Sequence, residues 1–167
     1  MDAVHTVVES PVGPLTLVRS PDGLCGLYMD AQRHLPDSAR FGARVDEGFD
    51  EVTVQLGEYF AGDRTEFTMP LAPRGTEFQQ RVWAALRTIP YGETWTYLEL
   101  AEHLGNPAAI RAVAAANGRN PIGIIVPCHR VIGSDGSLTG YAGGLEKKRF
   151  LLDLERPASV GIQDGLF

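Results

Sequence analysis

The apolar run that ends at the second cysteine constrains the fold of this chain more than any other feature. Residues 121–127 read PIGIIVP, and Cys128, His129 and Arg130 follow at once. Such a run is expected to be buried, and Pro127 lacks the amide hydrogen that would continue a strand. We therefore predict a buried strand that ends at the cysteine and presents polar groups inside the protein, where they must be paired.

Composition limits the class of protein. The chain has 167 residues, 44% of them apolar, and a net charge of -6, which suits one ordinary domain or two small ones. No stretch approaches the roughly 20 apolar residues that span a bilayer, and no signal-peptide pattern opens the sequence. We therefore expect a cytoplasmic protein without a membrane partner. In a reducing compartment Cys25 and Cys128 are not expected to form a disulfide.

A change of pattern near PLAPRGT, residues 70–76, predicts two domains, residues 1–72 and 73–167. The first is expected to be a small α+β domain with an antiparallel sheet. Residues 32–46 have no clear period and are predicted to be a loop. The predicted strands are residues 4–10, 15–20, 24–29 and 65–71, with a helix within residues 47–60.

The second domain is predicted to be mainly helical. Capping boxes at Thr76 and Thr96 each begin a helix. The helix after Thr96 ends at Gly105, and Asn106 as N-cap with Pro107 begins another. Two helices joined by so short a connection predict a helix-turn-helix.

The second helix of this pair, PAAIRAVAAAN, carries six alanines, and Arg111 is its only long polar residue. Such a smooth helix either packs closely against another helix or approaches DNA in a shallow, sequence-tolerant way. Between positions 107 and 149, six cations face only Asp135 and Glu146, which predicts either a basic surface or an ordinary solvated one. The cations are Arg111, Arg119, Arg130, Lys147, Lys148 and Arg149.

The two cysteines are expected to differ. Cys25 lies in GLCGLYM and fits a small, inert apolar residue. Cys128 stands beside an imidazole and a guanidinium, which favour a reactive thiolate. Neighbouring residues of a regular strand point to opposite faces, so His129 could reach the thiol only through a turn or a bridging water. No second Cys or His stands at ligand spacing, so no metal is predicted.

These residues carry a resemblance to a known family. The strings RAVAAANGRNP, PCHRVIG and GSLTGYAGGLEKKRFLLDLE resemble the active-site region of the O6-alkylguanine-DNA alkyltransferases, also called methylated-DNA--protein-cysteine methyltransferases. The similarity extends through FQQRVWAALRTIPYGETWTYLELA, and SPVGPLTL resembles the N-terminal part of the family. The resemblance implies a ribonuclease-H-like N-terminal domain and a C-terminal domain with a winged helix-turn-helix.

The resemblance also implies a reaction. Cys128 would take the alkyl group from O6-alkylguanine, and from O4-alkylthymine, as a thioether that consumes the protein. His129, acting through a water and oriented by Glu155, would accept the thiol proton. Asn120 would support the turn that presents the cysteine, and Tyr97 would donate to N3 of guanine. No cofactor is implied.

The implied partner is double-stranded DNA that contains O6-alkylguanine, bound through its minor groove with the damaged nucleotide flipped out. The protein is expected to be a monomer in solution, with cooperative binding on DNA left open. The implied DNA-binding residues are Thr96, Ala109, Arg111, Ala112, Arg119 and Arg130, with Arg111 filling the vacated stack. The implied pocket residues are Tyr97, Gly123, Val131, Tyr141, Ala142 and Gly143.

The chain departs from the family at two pocket positions. Ala142 stands where members often have serine, and Gly123 where some have proline, so we expect a roomier pocket.

Two other functions stay open. One is a Cys-His hydrolase with His129 or His103 as base, and the other is a module that binds alkylated DNA without repairing it. Proteins of that last kind resemble the family but lack the reactive cysteine.

Overall fold

The computed structural model describes residues 3–156, and these form an α+β fold, as predicted. The N-terminal part contains β1 (Val4–Val8), β2 (Leu15–Ser20), β3 (Gly23–Met29), β4 (Ala43–Arg44) and α1 (Asp50–Phe60). The C-terminal part contains α2 (Glu77–Leu86), β5 (Trp95–Thr96), α3 (Tyr97–His103), α4 (Ile110–Gly118), β6 (Val131–Ile132) and α5 (Leu145–Glu155). No helix among the described residues is long and apolar enough to cross a membrane.

The N-terminal sheet has the strand order β3-β2-β1-β4. Its first three strands form the predicted antiparallel meander, and β4 pairs in parallel with β1. The predicted loop at 32–46 was therefore wrong in part, because it contains β4 and the 3₁₀ turn Ser38–Phe41. The predicted strand at 65–71 was also wrong. Only Leu71 forms an isolated bridge there, to Leu24, since the preceding Pro70 has no amide to donate.

Both capping boxes form as the sequence predicts. The hydroxyl of Thr76 accepts from the amide of Gln79 and begins α2, and Thr96 does the same with Glu99 at the start of α3. Asn106 does not act as a side-chain cap. A 3₁₀ turn over Pro107–Ala109 follows it instead, so α4 begins only at Ile110.

The apolar run that precedes Cys128 is buried, but it is not a strand. Ile122 makes one isolated bridge to Leu27 of β3, and Ile124 then adopts a positive φ of 68°. The chain turns there and enters a short 3₁₀ helix, Cys128–Arg130. This path brings the cysteine into the single large core that both parts of the chain share.

Candidate active site

Asn120 holds the turn that carries Cys128. Its Nδ2 donates to the carbonyl of Val126 at 2.8 Å, and its Oδ1 accepts from the amide of Ile122 at 3.0 Å. These bonds replace the ladder that a strand would have provided, and they satisfy buried backbone groups. The Cys128 amide adds a bond to the Val126 carbonyl at 2.8 Å, and the residue is 7% exposed.

Glu155, near the end of α5, is the hub of a buried polar network. Its Oε2 accepts from His129 Nε2 at 2.7 Å and from the Tyr59 hydroxyl at 2.5 Å. Arg130 donates from Nε to Oε1 at 2.7 Å, from Nη2 to Oε2 at 3.1 Å, and from Nη1 to the Ile89 carbonyl at 2.7 Å. Burial alone would raise the pKa of Glu155, but the neighbouring His129 and Arg130, which both donate hydrogen bonds to the carboxylate, lower it to about 2. Glu155 is therefore an ionised acceptor.

The network fixes the tautomer of His129. An ionised carboxylate can only accept, so Nε2 carries the hydrogen and Nδ1 keeps its lone pair. Nδ1 is buried and has no hydrogen-bond partner among residues 3–156. Burial lowers the pKa of His129, although Glu155 opposes the shift, so the imidazole is neutral near pH 7. The site thus presents a neutral base.

The thiol of Cys128 is not activated in the way that its sequence neighbours predict. Burial raises the pKa of Cys128, and a hydrogen bond to Asn120 and the charge of Lys148 offset this shift only in part. Arg130 does not reach the thiol as an activating charge, because its guanidinium is bound to Glu155 and Ile89. The resting residue is a thiol, and its proton has to be removed during the reaction.

Lys148 is a functional candidate that the sequence analysis counted among the surface cations. Its side chain is buried, and Nζ donates to the carbonyls of Val131 at 2.6 Å and Thr139 at 2.7 Å. Burial lowers its pKa to about 8, while the facing Cys128 opposes the shift. The spacing of 148, 151 and 155 on one face of α5 is the signal that could have revealed it.

Two of the predicted pocket residues, Tyr97 and Tyr141, lie close enough to Cys128 to interact with its charge. Tyr141 and Val131 are buried, and the Tyr97 hydroxyl donates to the carbonyl of Thr139 at 3.2 Å. Burial raises the pKa of Tyr97 and of Tyr141, and proximity to Cys128 raises both further. Both phenols therefore keep their protons at neutral pH.

Gly123 makes a close backbone contact with Leu27 of β3. A Cβ on it would lie 3.5 Å from the Leu27 carbonyl oxygen and 3.9 Å from the Tyr141 hydroxyl, in ordinary contact. The Gly123 amide also donates to the Leu27 carbonyl at 3.1 Å. A proline at this position would lose that bond as well as fill the space.

The N-terminal part of the chain contacts the segment around Ala142, a contact that sequence reasoning missed. The Arg33 amide donates to the Ala142 carbonyl at 2.8 Å, and Lys147 Nζ donates to the Asp30 carbonyl at 3.3 Å. Gly143 lies so close to Met29 that a Cβ would meet its sulfur. No local pattern signals contacts between segments this far apart in the sequence.

The predicted DNA-binding residues divide into two groups. Arg111, Ala112 and Arg119 are exposed along and after α4, while Ala109 and Thr96 are half-buried. Arg130 was assigned wrongly, because its guanidinium is buried and bound to Glu155 and the Ile89 carbonyl. The predicted basic surface therefore lacks two of its six members, Arg130 and Lys148.

Within the described residues no group of three or more His, Cys, Asp or Glu side chains could hold a metal ion.

Comparison with known proteins identifies the family. The model of the 6-O-methylguanine DNA methyltransferase DNA-binding domain matches residues 77–157, and that of the ribonuclease-like domain of the same protein matches residues 3–73. The chain belongs to the 6-O-methylguanine DNA methyltransferase family. The family assignment confirms the resemblance drawn from the sequence.

Relatives cover nearly the whole chain. The methylated-DNA--protein-cysteine methyltransferase of Mycobacterium tuberculosis H37Rv is 50% identical, over 96% of this chain and 98% of the relative. The protein of that name from Methanosarcina acetivorans is 53% identical, over 90% and 97%. The crystal structure of Mycobacterium tuberculosis OGT in complex with DNA matches with a TM-score of 0.87 and 50% identity, over 95% of this chain and 98% of that one.

Proposed function

We propose that this protein repairs DNA by transferring the alkyl group from O6 of guanine irreversibly to Sγ of its own Cys128. The observation that carries the proposal is the state of His129: Nε2 is bound to Glu155, and the basic Nδ1 is buried and unpartnered beside the cysteine turn. The family membership and the names of its relatives support the same reaction.

The reaction begins with loss of the thiol proton to Nδ1 of His129, through a water as the resemblance implies. The thiolate attacks the alkyl carbon, so that a C–S bond forms while the C–O6 bond breaks. The electron pair stays on the guanine oxygen, and Tyr97 stabilises it by donating to N3. Overall, the thiol proton ends on the guanine ring. The thioether persists because nothing in the mechanism cleaves it, so each protein molecule acts once.

DNA is the partner that this reaction requires. We propose that α4 enters the minor groove, that Arg111 replaces the flipped nucleotide in the stack, and that the protein binds as a monomer. The small exposed side chain of Ala112 permits a close approach, and a relative of 50% identity has been crystallised with DNA. We propose the same pocket for O4-alkylthymine.

We further propose that residues 1–72 and 73–167 are two domains that act together in the cytoplasm. In the pocket of the second, Ala142 offers a backbone amide in place of the serine hydroxyl that many family members have. A reducing compartment keeps both thiols free.

Intact-mass measurement after incubation with a duplex that contains O6-methylguanine tests the function. We expect a permanent gain of one methyl group on Cys128, and no gain in Cys128→Ala, which should still bind the duplex. Cys25→Ser is the matched control. Cys25 is half-buried in β3, and the variant should react like the wild type.

The other candidate functions predict different results. A hydrolase would release product and return to its original mass, and a binding module would keep its mass throughout. Either result contradicts the proposal, as would a methyl gain on another residue in Cys128→Ala.

A further inference from the structure

Two adjoining cavities form a groove between the N-terminal domain and the end of α4. Their volumes are about 210 and 410 Å³, and both are lined by Tyr28, Pro36, Arg40, Arg74 and Pro121. The larger one continues along the C-terminal domain to Arg119. We call this feature the arginine groove.

The charge of the arginine groove has one sign. Arg40, Arg74 and Arg119 are exposed, and no carboxylate lines either cavity. The chain has more acidic than basic residues and a net charge of -6. Even so, no acidic side chain forms an ion pair with these three arginines among residues 3–156. Like charges gathered without counter-charges favour an anionic partner.

The position of the arginine groove indicates which anionic partner it binds. Arg119 directly follows α4, and the next residue, Asn120, holds the cysteine turn. The helix rises by about 12 Å between Arg111 and Arg119, which equals roughly three to four base pairs of 3.4 Å. The arginine groove therefore begins at the C-terminal end of the helix that we propose to lie in the minor groove, and Arg40 and Arg74 line the same cavity as Arg119.

We propose that the arginine groove binds the sugar–phosphate backbone of the DNA strand that flanks the lesion. This inference rests on the proposed function, and it assigns part of the DNA interface to the N-terminal domain through Arg40. Arginine binds phosphate oxygens through its fork of N–H donors, and such contacts position a duplex without reading its sequence. Sequence-independent contacts suit a protein that must find damage in any context.

The salt dependence of DNA binding tests this surface. We compare wild type with Arg40→Gln/Arg74→Gln on an undamaged duplex that holds one protein molecule. Each lost phosphate contact reduces the slope of log K against log salt by about 0.9, so the double variant should lose about 1.8. The ratio of the dissociation constants at 200 and 50 mM salt should then be about twelvefold smaller than for wild type.

The matched control is Arg87→Gln, which removes the same charge from an exposed arginine that lines a different cavity. It should leave the slope unchanged. Methylphosphonate linkages three to five nucleotides from the contact of Arg111 remove the phosphate charge instead. They should weaken wild-type binding but add little to the double variant.

Three results would overturn the proposal. They are an unchanged slope in the double variant, an equal change in Arg87→Gln, and a defect seen only on long duplexes that hold several molecules. The last would assign the groove to a neighbouring protein molecule. The transfer reaction is tested separately, since wild type that gains a methyl group while the slope stays unchanged retains its function and loses only this surface.

Discussion

At the scale of single residues, burial favours the uncharged forms of both partners in the proposed proton transfer. It raises the pKa of Cys128 and lowers the pKa of His129. A surface Cys-His pair can rest as thiolate and imidazolium, but a buried pair pays for two charges in a low-dielectric site. The buried pair therefore keeps the proton on sulfur until substrate is present.

This arrangement predicts a wide pH plateau for transfer from the free base O6-benzylguanine. The acid limb follows protonation of His129, whose pKa lies below its usual 6.5, so the midpoint of the fall in rate should lie below pH 6.5. The thiol of Cys128 ionises by itself only above pH 9, and this ionisation supplies the nucleophile, so it should not lower the rate. Single-turnover rates between about pH 5 and 10 measure the acid limb and the plateau. A rate that already falls as the pH drops through 7 would contradict a neutral buried base.

At the scale of elements, local chemistry correctly predicted the starts of α2 and α3. Contacts between distant segments decided the path of the apolar run before Cys128. The boxes at Thr76 and Thr96 need only residues within one turn, and both form. Asn106 lacks such a reciprocal partner and makes no side-chain cap. The apolar run after Asn120 was predicted as a strand from its composition. The Asn120 side chain instead takes backbone groups that a strand would have paired.

Helix α4, which we propose binds DNA, provides a prediction that separates flipping of the nucleotide from the transfer reaction. Arg111 is exposed on this helix. Arg111→Ala should slow repair of duplex DNA by tenfold or more, on the order of 1.4 kcal/mol, because only the duplex needs the gap filled. The rate with O6-benzylguanine should hardly change. We expect Arg149→Ala, an exposed arginine of α5, to leave both rates unchanged. Equal losses on the two substrates in Arg111→Ala would remove the flipping role.

At the scale of the whole molecule, the candidate active site includes residues from both the N-terminal and the C-terminal parts of the chain. Tyr59 of α1 and Glu155 of α5 lie 96 positions apart, and their hydrogen bond joins the two domains inside the shared core. No sequence spacing predicts a contact of this separation. The resemblance supplied the roles of Glu155 and His129, because both belong to motifs of the family, whereas the contacts of Tyr59 and Lys148 became visible only in the folded chain.

Tyr59→Phe tests whether this contact tunes the site or only holds the domains together. The change removes a buried hydrogen bond to a charged group, which should lower the free energy of unfolding by about 1.5 to 3 kcal/mol. Tyr59 and His129 share Oε2 of Glu155, so loss of the phenol leaves more negative charge on the oxygen that faces the imidazole. The pKa of His129 should then rise, and the acid limb of the pH profile should move to higher pH.

Tyr91→Phe is the matched control for this last prediction, since it removes a phenol that donates to the Leu154 carbonyl at 3.4 Å and not to Glu155. Its acid limb should coincide with that of wild type. Chemical denaturation gives the stability change, and single-turnover rates with O6-benzylguanine give the limb. If Tyr59→Phe loses stability but the acid limb of its pH profile does not move, Tyr59 has only a structural role. A shifted limb would show that the N-terminal domain, through one hydroxyl, sets the basicity of the group that deprotonates Cys128.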